Sequence, residues 1–383
     1  MAYPTAIGCG CLLGAGGASP LHAAQWSLQP IFSWELDYDS SRSLVPNAPA
    51  SEETVLSADL RLQRSVENSQ FMLEPRFDVR RFSDSVWGPG DDRSLAGGFS
   101  WSGERTQLNL TGSVANQNSL TTELLETGII DTNSRRRSDV AGVELDLART
   151  ETHLFFVQVN YLGSSYSGPA NIQAVLPGYR YESAALGERF TLSEHLTFSV
   201  SAFGDILHSD RAGGSSHETG GQVGLSYARS ERLTFDFQVG ESRRVLRGSA
   251  SNGTNVSASA TRNFERGNLS CSYVRNLTPY GNGFLVQRDQ ITAAAKRSLT
   301  PDLDVDLRLI RVQNNDSTVR LGLDRRFYDN AGVGLDWRLG ETWSLRPEVT
   351  TSWSKPIGSD RTVREWRAAL TMTWKPIQKV ISR

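Results

Sequence analysis

Residues 302–309 read Asp302-Leu303-Asp304-Val305-Asp306-Leu307-Arg308-Leu309, and residues 233–239 repeat the pattern as Leu233-Thr234-Phe235-Asp236-Phe237-Gln238-Val239. Apolar and polar side chains alternate without a break, the period of an extended strand with one dry face and one wet face. Each run follows a short polar turn headed by an acidic residue. Eight such turns recur, at Glu67, Glu104, Glu151, Glu194, Glu231, Glu265, Asp302 and Glu341. Their separations of 34 to 47 residues suit two strands of about 10 to 13 residues plus one longer connection.

The first strand carries Trp26, Leu28, Phe32, Trp34, Leu36 and Tyr38 on one side, and the last carries Trp366, Ala368, Leu370, Met372 and Trp374. One strand before the eight turns, two joined at each turn and one after them make about 18. Residues 313–332 leave the count between 16 and 20, because Val319, Leu321 and Leu323 keep alternating beyond one strand's length. The longer connections, at 39–53, 83–92, 117–137, 163–178, 207–218, 245–253 and 278–287, are rich in Ser, Asn, Asp, Gly and Pro.

Composition narrows the class. The 383 residues are 38% hydrophobic and 21% charged, with net charge -2 and mean hydropathy -0.37. After residue 25 no window approaches the run of roughly 18 to 20 apolar residues that a membrane helix needs. Two-faced strands average to this neutral hydropathy whether they lie in water or in an outer membrane. A balanced charge implies no nucleic-acid partner. Four Lys stand against 36 Arg, the mark of a GC-rich genome or of a wall where guanidinium groups pair bidentately with carboxylates.

A period near 40 also describes propeller blades, but blade strands run about five residues with four to a repeat. Here the alternation persists for nine residues or more with two strands to a repeat. A soluble sandwich has no second aqueous surface for 18 polar faces. A closed antiparallel transmembrane β-barrel supplies one, with short periplasmic turns and longer extracellular loops.

The sequence divides into a signal peptide over 1–24, a barrel over 25–374 and a short C-terminal tail over 375–383. Residues 5–18, TAIGCGCLLGAGGA, form the apolar part of the signal, with cleavage after Ala23 or Ala24. It lacks a preceding Lys or Arg, which a start further upstream would supply. Cys9 and Cys11 leave with it. Cys271 remains, between Leu269 and Tyr273, as a small hydrophobe, so neither an internal disulfide nor a thiolate zinc site forms in the mature chain.

Assigning the apolar parity to lipid puts Glu35, Asp37, Asp59, Arg61, Glu74, Arg76, Asp78, Arg80, Asp236, Asp304, Asp306, Arg308, Asp336, Arg338, Arg346 and Glu348 on the pore wall. Acidic groups modestly outnumber basic ones, which favours cations or neutral solutes. Opposed Asp and Arg either brace the wall by pairing or set its selectivity. Asn109, Thr111, Gln158, Asn160, Ser257 and Ser259 offer neutral hydrogen-bonding groups. Trp26, Tyr38, Trp343, Trp353, Trp366 and Trp374 fall where interfacial aromatic belts sit.

Enzymatic readings find little. His208, His217 and Asp210 share one connection without a third placed ligand, His153 and His195 sit in short turns, and there is no serine elbow, phosphate loop or His-Glu-x-x-His helix. No catalytic residue, metal or cofactor is expected.

Leu192-Ser193-Glu194-His195-Leu196-Thr197-Phe198, and Tyr328-Asp329-Asn330 before Val333-Gly334-Leu335-Asp336-Trp337, resemble the β-barrel porin-like proteins found with exopolysaccharide export systems. The closing strand Trp366–Trp374 resembles the assembly signal of outer-membrane barrels, although Trp374 is not terminal. The resemblance implies a conduit in the outer membrane of a Gram-negative bacterium, with both termini periplasmic and a part in exopolysaccharide export. The partners it implies are outer-membrane lipid, the barrel-assembly machinery, periplasmic polysaccharide export proteins and the polysaccharide itself. A general or sugar-specific diffusion porin for small solutes, or a surface adhesin or structural barrel, fits the same pattern.

Overall fold

The computed structural model describes residues 24–41, 44, 49–83, 90–119, 134–168, 176–210, 215–246, 249–280, 283–315, 326–355 and 362–382. The first six strands are β1 (Gln25–Asp39), β2 (Ser51–Val66), β3 (Ser69–Phe82), β4 (Gly90–Ser102), β5 (Thr106–Asn118) and β6 (Arg135–Ala148). Next come β7 (His153–Ser167), β8 (Tyr179–Ser193), β9 (Leu196–Ser209), β10 (Ser215–Ser230), β11 (Leu233–Leu246) and β12 (Ser249–Phe264). The last are β13 (Gly267–Tyr280), β14 (Phe284–Thr300), β15 (Leu303–Asn315), β16 (Arg326–Arg338), β17 (Trp343–Ser354), β18 (Val363–Trp374) and the short β19 (Lys379–Ser382).

Each of β1–β18 pairs antiparallel with its sequence neighbours, and β1 pairs with both β2 and β18, so the sheet closes. The wall is a closed antiparallel barrel of 18 long strands. All eight acidic turns are short connections at one end, and three are preceded by a bulge, at Thr191/Ser193, Ala228/Ser230 and Ser298/Thr300. Val319, Leu321 and Leu323 lie outside the described residues, but β15 and β16 pair directly up to Asn314↔Arg326, so no strand is inserted between them. The stretch 375–383, set apart as a tail in the sequence reading, carries β19. It continues the closing strand past a break, pairing Lys379–Ser382 with Leu28–Gln25.

Strand number and stagger size the cylinder. Following the register once around the ring accumulates a stagger of about 22 residues, which for 18 strands gives a tilt of roughly 40° and a backbone radius of about 18 Å. Such a cylinder is too wide for side chains alone to fill.

The outer face carries the apolar parity, with Trp34, Leu56, Phe77, Leu110, Val159, Leu186, Phe237, Leu307 and Leu309 all exposed. Near the short-turn end Trp374 stacks on Phe32 at 5.7 Å and meets Trp343 at 6.4 Å, while near the other end Trp366 packs on Tyr38 at 4.9 Å. The eight steps from Trp366 to Trp374 span about 26 Å of strand, or roughly 20 Å of height once tilted, close to the apolar band of an outer-membrane barrel.

Candidate functional site

On a concave surface, side chains two strands apart converge; on a convex one they diverge. The polar parity shows this convergence. Arg346 (β17) reaches Asp306 on β15 at 2.8 Å, and Arg189 (β8) reaches Asp146 on β6 at 3.3 Å. The polar faces therefore line the lumen, and all sixteen charged positions selected by parity lie on that face.

Most of them gather into clusters around one cation. Arg346 holds Asp306, Asp336 at 2.7 Å and Glu348 at 3.0 Å, joining three strands. Asp304 receives Lys296 at 3.2 Å and Arg338 at 3.5 Å. Arg76 bridges Asp59 and Asp78, and Arg61 pairs with Glu74. Arg80 joins Glu53 and Asp92, both at most 3% exposed, at 2.8 and 2.9 Å. Arg367 holds Glu35 and Asp37 across the β18–β1 seam. Asp236 accepts a hydrogen bond from Ser259 at 3.1 Å, and Arg308 stands on the same face with no salt bridge among the described residues. In a wet lumen each half-exposed pair contributes little stability, about 0–1 kcal/mol. Their larger effect is to hold long side chains against the wall.

Parity alone would have added Arg367, Glu144, Asp146 and Arg189 to the set. Glu53, Asp92 and Glu218 lie in stretches whose composition reads as loop, which hides their parity.

The lumen is narrowed from within. Residues 278–287 carry loop-like composition, yet β13 and β14 pair as a hairpin out to Tyr280↔Phe284. The hairpin leaves the wall on the way: β13 stops pairing with β12 at Val256↔Arg275, although β12 runs on as strand to Ser249. Beyond that point it turns inward over one side of the lumen. Leu277 and Leu285 are buried with Leu162, Tyr166, Leu176, Tyr179, Tyr181 and Leu207 from the β7–β9 sector. Seven extended residues reach about 23 Å, the chord across four strands of this cylinder. At the tip Gly283 has φ 79°, and a Cβ there would run into Ser209 and Pro177, so neither the backbone nor the space admits a larger residue. Consecutive burial of Leu285 and Val286 breaks the period of two. The unalternating run Phe284-Leu285-Val286 was the signal for it.

One buried guanidinium fastens the stem. Arg244 is 2% exposed and Glu218 1%, paired at 3.1 Å; Arg244 also donates to Asn255 at 2.9 Å and to Gln287 of the hairpin at 3.2 Å. Ser242 and Asn255 donate to Glu218 as well. The guanidinium lies flat on Gly253, where any Cβ would displace it. Beneath the hairpin a recess of about 240 Å³ is lined by Gln158, Asn160, Gln222, Gln238, Asn255 and Ser257, with Tyr181 and Phe203. Asn109, Thr111 and Ser259 belong to the wall outside it.

A second inward element comes from the connection after β1. Leu44, at φ 55°, is fully buried against Val312 and Tyr328, with Ile310 and Val363 beside it, and its N–H donates to Glu365 at 2.9 Å. It covers the sector of β15–β18.

His153 packs edge-on against Phe190 at 5.0 Å. His208 and His217 lie on β9 and β10, and among the described residues no three potential metal ligands converge. The aromatic positions Trp26, Tyr38, Trp343, Trp353, Trp366 and Trp374 share the outward parity of β1, β17 and β18.

No protein-family model and no curated protein matches the chain. Solved structures do resemble it. Pseudomonas aeruginosa OpdQ is 11% identical with a TM-score of 0.49, over 92% of this chain and 98% of that one. Acinetobacter baumannii OccAB1 is 12% identical with a TM-score of 0.47, over 91% and 96%. Pseudomonas aeruginosa OprD is 9% identical with a TM-score of 0.46, over 92% and 95%. The chain's own wall defines its class: a closed 18-stranded barrel, apolar outside and charged within, narrowed by its own backbone.

Proposed function

We propose that the protein is an outer-membrane diffusion channel for small hydrophilic solutes, with a mild preference for cations and both termini in the periplasm. The observation that carries this reading is the inward β13–β14 hairpin in a wide, ion-paired lumen. A wall with a continuous charged lining conducts ions and water, and a hairpin folded in along one side narrows what passes. The export of a polymer, expected from the resemblance, asks for an unobstructed upper lumen. The hairpin on β7–β9 and Leu44 on β15–β18 occupy two sides of it, which supports small solutes over a polysaccharide chain.

Planar-bilayer recording tests the reading. The wild-type protein is expected to give steady conductance steps, and replacing residues 278–286 by an Asn-Gly turn should enlarge them by roughly a tenth, the share of the cross-section that a chord over four of 18 strands cuts off. A wild type that stays silent and opens only with periplasmic export proteins would overturn the reading in favour of export. Silence of both proteins would favour a structural barrel or adhesin.

Arg346 supplies a selectivity test. A unit charge about 8 Å from a passing ion in water is worth about 0.5 kcal/mol, or roughly twofold in permeability. Arg346→Gln leaves Asp306, Asp336 and Glu348 without their shared cation, so cations gain and anions lose about twofold each and the cation-to-anion permeability ratio from reversal potentials should rise about fourfold. An unchanged ratio would place that cluster away from the ion path.

A further inference from the structure

The guanidinium groups of the lumen clusters all have carboxylate partners, but one sector of the short-turn end reverses the rule. Arg229, Arg232, Arg262, Arg266 and Arg297 are exposed, and none makes a salt bridge among the described residues. They line a groove of about 1030 Å³ between the β10–β11 turn, the β12–β13 turn and the foot of β14. Its lining has six basic side chains, counting Lys296, which is already paired with Asp304, against one acidic side chain, Glu265. A chain with net charge -2 has thus gathered five uncompensated guanidinium groups in one place.

The groove is also apolar on one side. Arg262 is paired in register with Leu233 and Leu269, and its guanidinium lies 4.9 Å from the Phe264 ring centroid. Phe264 and Leu269 are exposed and share the outward parity of their strands. Arg297 continues the outward face of Ala295, the partner of Leu269, and Arg229 is the extra residue of the bulge that ends β10. These arginines therefore stand where the apolar outer face ends, at headgroup height, with stems along the apolar surface and forks free. Planar forks beside an apolar floor fit a phosphate that carries an acyl chain.

We propose that this groove binds an anionic phospholipid of the leaflet at the short-turn end, with Arg262 and Arg297 on its phosphate and Phe264 and Leu269 under its first acyl segment. The proposal rests on the barrel lying in a membrane but not on what the barrel conducts. Native mass spectrometry of the detergent-purified full chain tests it, titrating phosphatidylglycerol against phosphatidylcholine, after insertion into liposomes has been scored separately. Phosphatidylglycerol should be retained at roughly tenfold lower concentration than phosphatidylcholine, and Arg262→Gln/Arg297→Gln, both exposed positions, should abolish the difference while liposome insertion persists. Equal retention of the two lipids by a protein that inserts would overturn the lipid site alone; failure to insert would overturn the membrane reading with it. Displacement of phosphatidylglycerol by inorganic phosphate at equal concentration would mark a free-anion site and overturn the proposal.

Discussion

Replacing Arg244 by methionine is expected to destabilise the folded barrel by about 3–5 kcal/mol, because it strands a buried carboxylate. Glu218 is 1% exposed and has Arg244 as its ionic partner at 3.1 Å. Ser242 and Asn255 still donate to it, but two neutral hydrogen bonds do not replace a guanidinium at a carboxylate so little exposed. The double variant Arg244→Met/Glu218→Gln removes both charges and should recover most of the loss, since a buried pair costs most when only one member is deleted. Urea unfolding in lipid, followed by tryptophan fluorescence, measures both. Losing Arg244 also frees Gln287, so the hairpin stem should loosen and the open-channel current grow noisier. An unshifted unfolding midpoint in the single variant would mean that Glu218 reaches water.

Leu307→Arg should cost about 2–4 kcal/mol, the penalty for a charge on the lipid face near mid-membrane. Leu307 is 52% exposed, a value that would excuse almost any substitution in a soluble protein. The neighbouring Arg308→Leu, one residue along the same strand but on the lumenal face, should stay within about 1 kcal/mol. The contrast between adjacent positions separates a barrel in lipid from a β protein in water, where both changes would be mild. Heat-modifiable migration of the folded form and the yield of inserted protein report the difference. Comparable behaviour of the two variants would reverse or dissolve the assignment of faces.

Much of this architecture was readable residue by residue. The alternation in Leu303–Leu309 separates the two faces of β15, and the acidic turns count the strands, because a strand's period and a short turn's chemistry are local properties. The pore-wall candidates follow from the same parity, and so does Arg367, whereas Asp92 sits in a stretch of loop-like composition, 83–92, that only the pairing of β4 turns into wall. The hairpin was not readable in that way. Thr278-Pro279-Tyr280-Gly281-Asn282-Gly283 has the composition of an exposed loop, and only the unalternating Phe284-Leu285-Val286 hints that both of its faces are covered.

Arg262 and Arg297 show the same division. As isolated residues each is an unremarkable charge near a turn, more than thirty positions apart in a nearly neutral chain. Pairing of β12 with β13 and of β13 with β14 brings both to one groove.

What the sequence determined by itself is the two-faced strand, its repetition and the short-turn end, all set by contacts between near neighbours. The tertiary structure alone decided that β13 leaves β12 at Arg275, that Leu277 and Leu285 find their apolar partners four strands away, and that Arg244 meets Gln287 beneath them. Those outcomes depend on the radius at which 18 strands close and on which wall a hairpin of that length can reach, and no local pattern encodes a chord across a cylinder.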